Sequence, residues 1–170
     1  MRAQSPIENT QPITSQSVPA NCYAWVQYTA SITALARALT GAAVQVQKLQ
    51  QHTRQCPAWV PTEFSSAGRT FVREIELHAG SERVLAAQTL THPEGDLVKP
   101  LIELSTAPLA DLLFQGAAQR LPYQELLRVD AWYGRAHAWQ LEGAEHPLLL
   151  IEMFDPAFVA SYEIENAAEL

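Results

Sequence analysis

Positive charge is what this sequence most lacks. Eleven Lys and Arg stand against eighteen Asp and Glu, for a net charge of -7 and a pI near 5.1. The basic residues form neither a cluster nor a stripe interleaved with aromatics, so nothing gathers phosphates and no nucleic-acid partner is expected. Long apolar runs are missing too. The stretch from Pro147 to Phe154 is far shorter than the roughly 20 residues a membrane-spanning helix needs, and the N-terminus has no charged segment leading into an apolar one. A soluble, cytoplasmic protein without membrane insertion is expected. Only two cysteines occur, Cys22 and Cys56, which read as reduced, partly buried thiols. The histidines, at 52, 78, 92, 137 and 146, lack metal-ligand spacing and an HExxH, and read as solvated or core side chains. No GxSxG elbow, P-loop or GxGxxG is present, which removes the usual hydrolase, NTPase and dinucleotide signals and implies no cofactor.

What is present is enough apolar material for one core. Of 170 residues 48% are hydrophobic, which suits a single domain. Residues 1–20, rich in Pro, Ser, Gln and Thr, read as a flexible arm, residues 21–160 as the folded domain, and 161–170 as a tail. Asn21 can cap a short helix through Tyr28, and Ser31 or Thr33 a second one that stops at Gly41. Val44 and Val46 begin a strand running toward Gln51, and Pro57 and Pro61 break the chain after it. Strands are predicted at 69–78 and 83–91, joined at Ala79-Gly80-Ser81, and at 121–130, 134–142 and 147–154. Helical segments are predicted at Leu97 to Glu103 and Pro108 to Phe114. Short turns between neighbouring strands make the sheet antiparallel, so the expected fold class is α+β: one antiparallel sheet of about six strands with helices on one side. The four tryptophans read as packing residues.

Two charges break this pattern. Side chains alternate across a sheet, so in Phe-Val-Arg-Glu-Ile-Glu-Leu (71–77) Arg73 shares a face with Phe71, Ile75 and Leu77. In Leu-Leu-Leu-Ile-Glu-Met-Phe (148–154) Glu152 lies in register with Leu148, Leu150 and Phe154. Burying either ion alone costs several kcal/mol. Two readings stand: the ions pair with each other, or they line a cavity that grips an anion at one end and handles a proton at the other.

Four motifs narrow the choice: Val-Arg-Glu-Ile at 72–75, Thr-Ala-Pro-Leu-Ala-Asp-Leu-Leu-Phe at 106–114, Trp-Tyr-Gly-Arg at 132–135 and Pro-Leu-Leu-Leu-Ile-Glu-Met-Phe-Asp-Pro-Ala at 147–157. In order and spacing they resemble the bacterial chorismate pyruvate-lyases, which release pyruvate from chorismate to make 4-hydroxybenzoate for the ubiquinone ring. Ser-Ile-Thr at 31–33 is a weaker match. The resemblance covers roughly Tyr23 to Val159 and implies helical flaps over an internal ligand cavity, a cofactor-independent lyase and product inhibition. It also implies that Arg73 binds the ring carboxylate, assisted by the backbone amides of Ile32 and Leu109, while Glu152 faces the ring hydroxyl as base or as orienter. A monomer is expected, with small molecules as its partners.

The chain departs from that pattern at Ala87-Gln88-Thr89, where the family often has Gly-Arg-Thr, and at His92, where it has a proline. Chorismate carries two carboxylates, so Gln88 leaves open how the second is held. Arg135 reads as a structural surface arginine that could compensate. The rival function is a non-catalytic, effector-sensing domain of the same fold, which would normally follow a winged-helix domain.

Overall fold

The computed structural model describes residues 9–113 and 118–164. Its centre is one seven-stranded sheet in which every pairing is antiparallel. In chain order the strands are β1 (Gln11–Ile13), β2 (Val44–Gln55), β3 (Arg69–Ala79), β4 (Glu82–Thr91), β5 (Ala118–Val129), β6 (Trp132–Leu141) and β7 (Leu148–Phe154). Across the sheet they lie β1-β5-β6-β7-β4-β3-β2. The helices are α1 (Ala20–Gln27), α2 (Ile32–Thr40), α3 (Val98–Leu104), α4 (Ala110–Leu113) and α5 (Pro156–Ser161). None of the described helices is long and apolar enough to cross a membrane.

The α+β class and the six expected strands are present. The seventh, β1, falls in the stretch expected to be a loose arm. Gln11, Pro12 and Ile13 pair with Arg128, Leu127 and Leu126, and Thr10 before them is buried. Pro12 has no N–H to give, a defect that an edge strand tolerates. The tail expected over 161–170 is described only to Ile164, and its remainder lies outside the described residues.

Local chemistry accounts for most boundaries. Ser31, not Thr33, caps α2, its Oγ accepting from the Ala34 amide, and Gly41 at φ +67° ends that helix. Asn21 does not cap α1, which already begins at Ala20 behind Pro19. Asp155 caps α5 through the Ala157 amide, with Pro156 in the first turn, so the Phe-Asp-Pro-Ala motif marks a strand running into a helix. Strand β2 runs on to Gln55 through Gln, His, Thr and Arg, because pairing with β3 rather than apolar alternation sustains it. Strand β5 begins at Ala118, earlier than expected, since its ladder with β6 breaks between Arg120 and Gln124, around Pro122. The helix expected at Pro108 to Phe114 is α4, and Phe114 lies outside the described residues.

Both faces of the sheet are buried, by different material. On one face Val72, Ala86, Leu90, Ala136, Ala138, Leu149, Ile151 and Met153 pack with Val60 and Phe64 from the β2–β3 connection. The other face carries two separate apolar clusters. At one end α1, α2 and α5 supply Trp25, Val26, Ile32, Ala36, Phe158 and Val159 against Ile75, Leu77, Leu85 and Phe154. At the other end Leu97, Leu101, Leu109 and Leu113 cover Phe71, Trp139 and Leu148. Between these clusters runs the row Arg73, Thr89, Leu150, His137, followed by the row Ile75, Ala87, Glu152, Arg135. The misplaced charges thus share one stretch of the sheet.

Gly134 shows how tightly the strands beneath this stretch are set. A β-carbon there would collide with the Glu152 carbonyl oxygen and approach the Met153 Cα to 2.8 Å. Because the obstruction is backbone, Gly134→Ala should cost about 1 to 3 kcal/mol or more, as overpacking does. Urea denaturation checks this, and an unchanged midpoint would show that β7 can shift.

Candidate active site

Arg73 is 1% exposed and has no acidic partner among the described residues. Its Nη2 donates to the carbonyls of Ser105, at 2.9 Å, and Ala107, at 2.8 Å, while Nε finds no acceptor. Those carbonyls reach it because Ser105 stands at φ +49°, a conformation costly for a residue with a β-carbon, which turns the chain sharply after α3. Burial pushes the guanidinium below its usual pKa. The cation is positioned by dipoles and left without a counter-charge.

Glu152 sits two residues further along the sheet, opposite Ala87 on β4, while Arg73 lies on β3 opposite Thr89. Two strand spacings separate their backbones, about 10 Å. Arg73 and Glu152 therefore do not pair. The carboxylate meets Arg135 instead, the residue opposite it on β6, whose Nε donates to Oε1 at 3.1 Å. Oε2 accepts no hydrogen bond among the described residues.

Arg135 is not a surface residue: it is 3% exposed. Besides Glu152 its Nη1 donates to the carbonyls of Trp25, Val26 and Tyr28 at the end of α1. Carbonyls in the last turn of a helix lack intrahelical N–H donors and favour a cation. The signal lay in β6 itself, where Tyr133, Arg135, His137 and Trp139 alternate with Gly134, Ala136 and Ala138. It is the same alternation that exposed Arg73.

One pocket takes in all four expected site residues, Arg73, Glu152, Ile32 and Leu109. Ile32 opens α2 and Leu109 precedes α4, positions at which amide groups have no intrahelical acceptor. Apolar walls come from Val46, Ile75, Leu77, Leu85, Leu113 and Leu150, and the residues 29–33 and 108–110 lie along its border. Two further charged or titratable lining residues, Arg120 and His137, escaped the sequence, and Arg135, read there as a surface arginine that could compensate, lines the pocket as well. Gln88 does not line it. Its side chain is on the opposite face, where Oε1 accepts from Arg54 Nη2 at 2.5 Å, so the departure there leaves the pocket wall unchanged. His92 likewise stacks on His146, with ring centres 4.2 Å apart.

His137 is neither solvated nor packed as inert core. It is 3% exposed, faces the pocket, and neither ring nitrogen has a hydrogen-bond partner among the described residues. Nε2 lies 3.7 Å from Glu152 Oε1, too far for a hydrogen bond. Burial first, then the charges of Arg135 and Arg120, drive its pKa down to about 2, so the ring is neutral. The unfolded ring titrates near 6.5, so below that pH the unfolded state binds more protons and stability falls as pH drops. Between pH 7 and 5 the native protein should lose about 1 to 2 kcal/mol that His137→Gln does not lose. Urea titrations at the two pH values measure it, and equal losses would mean the native ring takes a proton.

No protein-family model matches the chain. A stretch of 92 residues is 37% identical to the chorismate pyruvate-lyase of Yersinia enterocolitica, covering 52% of this chain and 53% of that protein. The match spans about half the length of this curated relative. Over that stretch this chain is similar to a bacterial chorismate pyruvate-lyase.

Proposed function

We propose that the chain is a chorismate lyase, converting chorismate to 4-hydroxybenzoate and pyruvate and so supplying the ring precursor of ubiquinone. The observation that carries this reading is Arg73, a buried guanidinium held by two carbonyls and, among the described residues, with no carboxylate beside it and no partner for Nε. A ligand carboxylate is the partner such a group lacks. The open amides at the starts of α2 and α4, at Ile32 and Leu109, add donors for the same anion. The apolar walls suit a flat six-membered ring, and Glu152 meets its far end.

The chemistry asks little more of the protein. The C3–O bond breaks with its electron pair leaving on the enolpyruvyl oxygen. The C4 proton passes to a base, and the electrons of that C–H bond complete the aromatic ring. Enolpyruvate then takes a proton on carbon and becomes pyruvate. No electrons leave the substrate, and aromatisation supplies the driving force, so the balance requires no redox cofactor. Glu152 is the base, acting through the Oε2 that Arg135 leaves free, while the Arg135 contact to Oε1 fixes the orientation of the carboxylate.

Purified protein incubated with chorismate in metal-free buffer should release pyruvate and 4-hydroxybenzoate in equal amounts. A binding-only domain would instead take up 4-hydroxybenzoate and leave chorismate intact. In the Arg73→Ala protein, calorimetry should show affinity for 4-hydroxybenzoate weakened by about 1.5 to 3 kcal/mol, or roughly 10- to 150-fold. Unchanged affinity in a folded variant would remove Arg73 from the site. Glu152→Gln keeps the shape and the hydrogen bond to Arg135 but not the basic carboxylate. Turnover should fall steeply while binding of 4-hydroxybenzoate survives, and near-normal turnover would exclude Glu152 as base.

A further inference from the structure

The charges facing the pocket do not balance. Three arginines, at 73, 120 and 135, stand against the single carboxylate of Glu152, and His137 is neutral. That leaves an excess of two positive charges among the described lining residues, in a chain whose net charge is -7. Arg135 is matched by Glu152, and Arg73 awaits one anion. Arg120 remains. It is half-buried, with no acidic partner and no hydrogen bond among the described residues. Burial and the nearby Arg135 disfavour its charge, and Glu152 offsets this only in part. An unmatched cation of this kind is held at a cost that a second anion would remove.

The geometry points to a second anion subsite, built from Arg120 and His137, that takes the enolpyruvyl carboxylate of chorismate. The inference rests on the function proposed above. Arg120 stands opposite Trp139 on β6, two residues along the same strand face from His137, so the two are diagonal neighbours within reach of one ligand group. The break in the ladder after Arg120, around Pro122, ends regular pairing there, a feature that elsewhere re-aims a side chain. His137 offers a ring N–H that nothing among the described residues accepts. His137 stands in the Arg73 row of the sheet with its Nε2 3.7 Å from Glu152 Oε1, and Arg120 stands one row further from Glu152, four strands across from Arg73. In chorismate the enolpyruvyl group is on C3, next to C4 and meta to the carboxylate-bearing C1. With Arg73 on that carboxylate and Glu152 at C4, the second carboxylate falls on the Arg120 side. Substrate thus brings two negative charges to two excess positive ones, whereas 4-hydroxybenzoate brings one. The pocket therefore favours substrate over product by charge, and the position left open at Gln88 is filled from another strand.

Binding can be separated from catalysis with an inert dianion, 3-(carboxymethoxy)-4-hydroxybenzoate, compared with 4-hydroxybenzoate by calorimetry on the wild type, Arg120→Gln, Arg120→Lys and Arg73→Ala. Wild-type protein should prefer the dianion by about tenfold or more, the lower range for a charge-assisted contact. Arg120→Gln should abolish that preference, leave 4-hydroxybenzoate affinity unchanged and lower kcat/KM for chorismate. Arg120→Lys should restore part of each, and Arg73→Ala should weaken both ligands alike. Equal affinities in the wild type, or a preference surviving in Arg120→Gln, would overturn the subsite. If the preference holds but chorismate is not consumed, the subsite stands and the lyase reading falls.

Discussion

The contact on which the site depends is the one between Arg135 and Glu152. A buried carboxylate is tolerable only beside a cation, and this cation is itself tolerable because three carbonyls at the end of α1 share it. The same guanidinium therefore joins the sheet to the helical layer. It fixes the end of α1, and with it the residues 29–33 that lead into α2 and border the pocket. One Glu152 oxygen is spent on this junction and the other accepts no hydrogen bond among the described residues, as the base role proposed above requires. Structural and functional roles coincide in a pair that could not be broken without disturbing both.

Arg73 is held by a different physical device. No carboxylate neutralises it, and its burial is made bearable by two carbonyl dipoles from the loop after α3, one of them turned inward by the strained backbone of Ser105. Dipoles position a cation without cancelling its charge, which leaves it able to attract an anion. The two arginines show the contrast directly: Arg135 is paired and organises, while Arg73 is unpaired and available. Between the apolar clusters at its two ends, which Leu150 bridges, the buried polar side chains Arg73, Thr89, His137, Arg135 and Glu152 project from a sheet that is otherwise greasy.

Departures from the resembling family find their explanation in strand alternation. Residue 88 points away from the pocket and binds Arg54, whereas 87 and 89 point into it. A change at 88 therefore repacks the far face, and what the pocket feels is Thr89 and the methyl of Ala87. Positive charge in the pocket comes from β3 and from the β5–β6 hairpin, which are distant in sequence and brought together by the sheet order.

Alternation along a single strand was enough to identify Arg73 and Glu152 as buried charges, because a residue's face in a strand depends only on its parity. The same parity held for Arg135 and His137 on β6 but was not followed there, and an arginine beside a turn motif was taken for a surface residue. Helix α2, its Ser31 cap and its Gly41 stop were legible because capping is a local interaction. Partnership was not legible. That Glu152 meets Arg135 rather than Arg73 follows from which strand lies beside β7 and in what register, and both are set by packing across the whole sheet. The strand β1 escaped for the same reason, since a polar, proline-containing segment becomes a strand only when an open edge of β5 is there to pair with it. Arg120 stayed hidden because its ladder breaks within three residues, and only the assembled fold shows it facing the same space as Glu152.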